Sequence, residues 1–130
     1  MKKKVLITLA IVLTLALATV AVFAASAGSE NDPIVAKSYV DTYARYETFS
    51  IESGQSVIGG AGTEIILRSG DAKAIDNGVD GLADVTGGSD LKGGKVVPAN
   101  HLLLCPRDDG RGIKAESVCW VMVRGSYKVK

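Results

Sequence analysis

The residues best equipped for chemistry lie close together in the last third of the chain. His101 is the single histidine, and PRDDGRGIK begins five residues later at Pro106. A lone histidine leaves any general-base or triad scheme one candidate. His101 stands directly before Leu102, Leu103 and Leu104, a place that suits a strand-end residue whose ring hydrogen-bonds to backbone. No G-x-S-x-G elbow occurs to present a serine nucleophile, so no catalytic residue is assigned. In PRDDGRGIK, Arg107 and Arg111 flank Asp108 and Asp109, and the two glycines can turn backbone amides toward a ligand. Such a loop can clasp a carboxylate, a phosphate or a sugar, which makes Arg107, Asp108, Asp109 and Arg111 the candidate ligand-binding residues. The same residues also describe an ordinary Asp-Gly turn whose charges pair with one another in water.

Metal and cofactor chemistry find less support. Asp71, Asp76, Asp80, Asp84 and Asp90 raise the question of a calcium loop, but the D-x-[DN]-x-[DN]-G pattern and its closing glutamate are missing. GGAGTE, from Gly59, precedes a strand-like stretch and lacks G-K-[ST], so it makes no phosphate cradle. No metal and no cofactor is assigned. Cys105 and Cys119 show neither CxxC nor a histidine-rich ligand set. They flank the polar loop, so a disulfide is expected, worth roughly 3 kcal/mol for a closed loop of about 15 residues. The competing reading is two buried thiols packed as small hydrophobes.

These residues need elements to position them. Residues 97–123 hold two apolar runs around the polar loop: Leu102 to Cys105, and a β-branched and aromatic run from Val118 to Val123. Together they read as a wide hairpin of strands buried on both faces. Upstream, Asp32 can cap and Pro33 can open a helix running to about Arg45, with Val35, Tyr39, Tyr43 and Tyr46 on one face. That aromatic stripe can stack on sugar rings, and it is expected instead to pack on the β body or on a second copy of the same helix. From Phe49 onward, glycines at positions 54, 62, 70 and 78 close short segments every eight residues, the rhythm of a β-meander. Thr63 to Ser69 is the strongest strand signal, and Asn77-Gly78 reads as a hairpin turn. A brief strand is expected near Leu82 to Thr86. The expected fold class is mainly β: a small sandwich or barrel of seven or eight short strands with one N-terminal α-helix.

The first residues point to export. Lys2, Lys3 and Lys4 precede an uncharged, mostly aliphatic run to Ala27, and Ala25-Ser26-Ala27 supplies a small-x-small cleavage pattern. Residues 1–27 are therefore expected to be a signal peptide or, if uncleaved, an N-terminal membrane anchor through residues 5–27. The expected plan is 28–47 for the helix and 48–130 for a Gly-rich β domain. Without Lys2, Lys3 and Lys4, 12 basic residues face 14 acidic ones, a net charge of −2. That balance gives no reason to expect electrostatic capture of nucleic acid or anionic lipid.

GSENDPIVAKSYVD resembles the segment after the export signal in a group of uncharacterised exported proteins of spore-forming Gram-positive bacteria. GTEIILRSG, NHLLLCPRDDGRGI and VMVRGSY are similar to the Gly-rich β body of that group. The resemblance implies an extracellular or cell-envelope location and carries no activity or site residue with it. The expected function is an exported, non-enzymatic binding or structural module, with a cell-envelope polymer or another envelope protein as partner. The alternative is a small envelope hydrolase using His101 with acidic residues.

Overall fold

The computed structural model describes residues 3–5, 7 and 36–130 of the 130-residue chain. The chain divides into two compact units, Met1–Tyr39 and Val40–Lys130. In the first, residues 3–5 and 7 are helical, with Val5 and Ile7 exposed. The rest of residues 1–27, on which the export expectation rests, and the Asp32 and Pro33 helix start lie outside the described residues. No described helix is long and apolar enough to cross a membrane.

Helix α1 spans Lys37–Ala44 and buries none of its residues. Tyr39 and Tyr43 are 50% and 44% exposed, so neither is buried on the β body, and Val35 lies outside the described residues. Tyr46 falls past the helix end. Its hydroxyl donates to the Glu64 carboxylate, and the Arg124 guanidinium lies 4.9 Å from its ring centre.

Ten strands follow: β1 (Glu47–Ile51), β2 (Ser56–Gly59), β3 (Thr63–Ser69), β4 (Ala72–Ile75), β5 (Leu82–Asp84), β6 (Ser89–Leu91), β7 (Leu103–Cys105), β8 (Gly112–Ala115), β9 (Cys119–Arg124) and β10 (Tyr127–Val129). They form two antiparallel sheets, ordered β1-β9-β3-β7-β5-β6 and β10-β2-β8-β4. The fold is mainly β, as the sequence predicts. Alternation along β3 puts Thr63, Ile65 and Leu67 inside, and along β9 it puts Cys119, Val121 and Val123 inside. They meet Val57, Ala72, Ala74, Ile113 and Ala115 of the smaller sheet in one core. Each fully buried Ile, Leu or Val there contributes about 1.5–3 kcal/mol relative to exposure.

The chain reaches this core by changing sheets. β1 lies in the larger sheet, β2 in the smaller, β3 in the larger, β4 in the smaller and β5 in the larger again. The four glycines of the eight-residue rhythm occupy these crossings, with φ of 89° at Gly54, 76° at Gly62, 89° at Gly70 and 89° at Gly78. The rhythm is therefore one of sheet-to-sheet crossing, and the meander reading is corrected: only β5 and β6 are both consecutive and paired. Asn77-Gly78 makes a turn in which the Asn77 side chain accepts from the Val79 and Asp80 amides, but no hairpin. The wide hairpin is corrected too. β8 leaves the 106–117 connection for the smaller sheet, and β3 separates β7 from β9. Nor is β9 covered on both faces, since Trp120 is 51% exposed.

The two sheets are also tied at one edge. Phe49 of β1 stacks on Tyr127 of β10 with ring centres 5.3 Å apart, and the Tyr127 hydroxyl donates to Glu47. Burial, and then that carboxylate, push the Tyr127 hydroxyl up to about 12.

Candidate functional site

The polar loop between β7 and β8 is divided by the fold. Arg111, 3% exposed, donates from Nε and Nη2 to the two carboxylate oxygens of Asp109, each at 2.8 Å. Its Nη1 donates to the Gly81 carbonyl at 2.8 Å, and Asn77 donates to Asp109 at 3.0 Å. The Arg111 hydrogen bonds, with help from Asn77 and against some burial, hold the Asp109 carboxyl below its usual range. This pair fastens the loop to the 77–81 turn, because a buried guanidinium must have its donors satisfied. Of the four candidate ligand residues, Asp109 and Arg111 are therefore committed to each other. Arg107 and Asp108 remain exposed.

Asp108 borders a cleft of about 310 Å³ with Gly110, Ile58, Gly60 and residues 126–128 and 130. A second cleft of about 250 Å³, between Thr42, Glu47, Val123 and Gly125, shares Ser126 and Tyr127 with it. Strand β10 positions the first cleft. It is an edge strand, and its alternation turns Lys128 to the outer side of the sheet, opposite Ile58 of β2.

The same outer face carries more lysine. Lys114 of β8 lies opposite Ser56 of β2 and Lys73 of β4, while Lys130 exchanges both backbone hydrogen bonds with Ser56. Lys130, Ser56, Lys114 and Lys73 thus form one row across four strands, with Lys128 in the next row. Sequence reasoning missed this face. Its signal was present strand by strand, as a lysine alternating with buried residues in AKAI and GIKA, and with half-buried Tyr127 and exposed Val129 in YKVK. What the sequence lacked was the order β10-β2-β8-β4, in which no two neighbours are consecutive.

His101 takes a different partner from the one expected. Its Nδ1 donates to the Asp84 carboxylate at 2.8 Å rather than to backbone, which leaves Nε2 as the acceptor of the neutral ring. Asp84 is 5% exposed and also accepts from the Gly87 amide at 2.8 Å. Burial pulls this carboxyl upward, but the Gly87 amide and His101 outweigh it and hold it below its ordinary value. The arrangement is a base with an orienting carboxylate, and it also fastens the β5–β6 turn to the segment entering β7. Neither cleft includes His101.

The expected disulfide is corrected. Both cysteines are free and buried. Cys105 is opposite Thr63 at one end of β3, whereas Cys119 packs beside Gly70 past the other end. Seven residues of strand at about 3.3 Å each separate those levels by about 23 Å, against a bridging limit of about 7 Å between Cα atoms. Burial pushes the Cys105 thiol up to about 11, so it is a poor nucleophile.

Among the described residues, no group of three or more His, Cys, Asp or Glu side chains is placed to hold a metal ion. Asp76 instead accepts from the amides of Gly93 and Gly78, in that order of effect on its lowered pKa. No family model, curated protein or solved structure matches the chain.

Proposed function

We propose that this protein is an exported, non-enzymatic binding module of the cell envelope, and that it holds an envelope polymer or another envelope protein at the cleft beside β10. The observation that carries the reading is the cleft itself, open along an edge strand and rimmed by Asp108, Ser126, Lys128 and Lys130. A concave site with a few polar groups is the usual form of a binding site. The buried charges around it stabilise the scaffold, since Arg111 is neutralised by Asp109 and spans to the Gly81 carbonyl. Export is supported by the lysine-apolar-small order of residues 2–27.

Protein recovered from medium or envelope should sediment with envelope material of the producing cell. Asp108→Trp, which fills the cleft from an exposed loop position, should reduce that retention at least tenfold without lowering the thermal midpoint. Undiminished retention would rule out the cleft.

A second reading, a small envelope hydrolase, is favoured by the His101–Asp84 pair, in which an oriented imidazole presents Nε2. His101→Gln keeps a donor for Asp84 and removes the base. If the hydrolase reading holds, turnover of a p-nitrophenyl ester by the protein should disappear in this variant. The binding reading expects no turnover in either form.

A further inference from the structure

Resting on the cleft as a binding site, we infer that the outer face of the four-stranded sheet holds a flexible, linear, phosphate-bearing polyanion laid across the strands from β10 to β4. The first ground is placement. Lys130 is level with Ser56, Ser56 with Lys114, and Lys114 with Lys73. Strands lie about 4.8 Å apart, so this row is about 14 Å long at the backbone. Lys128 stands beside it, at the cleft.

The second ground is charge. Glu116 neutralises Lys73 at 2.7 Å, while none of the ion pairs among the described residues engages Lys114, Lys128 or Lys130. This accumulation arises in a stretch whose total, from residue 28 onward, is slightly negative. The near-balanced total therefore does not preclude a local excess of positive charge here, where the cleft includes one carboxylate, Asp108, beside Lys128 and Lys130, and local potential rather than net charge decides what is attracted.

The third ground is shape and donor type. The row runs into a concave cleft, which a flexible chain can enter and a flat bilayer cannot follow. The face offers lysines, whose compact ammonium groups meet a phosphate as point charges. It lacks the arginine forks that match planar carboxylates in a bidentate fashion.

Calorimetric titration of the exported protein with long-chain sodium polyphosphate tests the inference. Binding is expected at low salt, with a log–log salt slope of about −2 to −3 if three or four lysines release counterions. Lys114→Glu and Lys128→Glu, both at exposed positions, should each weaken binding about tenfold, and the double variant should abolish it. Arg68→Glu, the same charge change on an exposed residue of the other sheet, should leave affinity within about twofold. The inference fails if the lysine variants bind as well as the parent, or if Arg68→Glu weakens binding equally. Poly-L-glutamate binding as tightly, or preference for anionic phospholipid vesicles, would also overturn it. The two readings separate in the envelope assay. If Asp108→Trp releases the protein while polyphosphate does not bind, the cleft stands and the polyanion falls. If envelope retention survives Asp108→Trp, both fall.

Discussion

Arg111 and Asp109 form a two-pronged ion pair, Nε to Oδ1 and Nη2 to Oδ2, each at 2.8 Å, beneath the surface of a loop whose other charges face solvent. The pair also reaches the Gly81 carbonyl through Nη1. Arg111→Ala would leave that carbonyl without its donor and release the loop from the 77–81 turn. A loss of about 2–4 kcal/mol is expected, the range for breaking a buried, hydrogen-bonded charge. Chemical denaturation of the variant, with unchanged slope and a lowered midpoint, checks this. Arg107→Ala, at an exposed neighbouring position, should stay within about 0.5 kcal/mol.

Acid should destabilise the protein through Asp84, Asp109 and Glu64. Burial raises the Glu64 carboxyl, but Arg124 at 2.5 Å and the Tyr46 hydroxyl outweigh it, and its pKa, like those of the other two, is lowered in the folded state. A lowered folded value means the contribution is fully present above the unfolded pKa, near about 4, and is lost as pH falls through the folded value. The thermal midpoint should therefore hold from pH 7 to about 5 and drop steeply below about 4. Asp84→Asn should lower the plateau and flatten the drop. A midpoint that rises on acidification would contradict the assignment.

The two thiols should behave as separate, shielded groups. Peptide mapping without reduction should find no link between Cys105 and Cys119. Both should resist alkylation in the native protein and react once it is unfolded, since each is wholly buried. A Cys105–Cys119 peptide would require a sheet in which β3 no longer lies between them.

Tyr43→Ala should change stability by less than about 1 kcal/mol, because Tyr43 is 44% exposed and α1 buries nothing. A buried aromatic would cost about 3–5 kcal/mol, so a loss of that size would return the tyrosine stripe to the core. Thermal melts of the variant and parent decide between them.

Much of the fold was legible because alternation reports which way a side chain faces. Alternation of Phe49 and Ile51 marked the first strand, Thr63 to Ser69 was expected as a strand and is one, the brief strand expected near Leu82 to Thr86 spans only Leu82–Asp84, and the glycines at 54, 62, 70 and 78 marked real breaks. Alternation says nothing about partners. β7 and β9 look like a hairpin because each is dense in apolar residues, yet β3, forty residues upstream of β7, inserts between them. The disulfide expectation failed with that hairpin. The site was legible in the same partial way. Charge and glycine marked residues 107–111 as special, but burial decides which charges remain available, and Arg111 turned inward. The lysine row was hidden for the complementary reason, since Lys73, Lys114, Lys128 and Lys130 become neighbours only through non-consecutive strand pairing.

The most direct test is an amide NMR titration of the isotope-labelled protein with sodium polyphosphate. The account predicts that the largest shift changes fall on Lys73, Lys114, Lys128 and Lys130, with Asp108 and Gly110 at the cleft, and that the opposite sheet around Trp120 is unmoved. Changes centred on Trp120 or His101, or no changes at all, would contradict the assignment of the four-stranded sheet as the binding face.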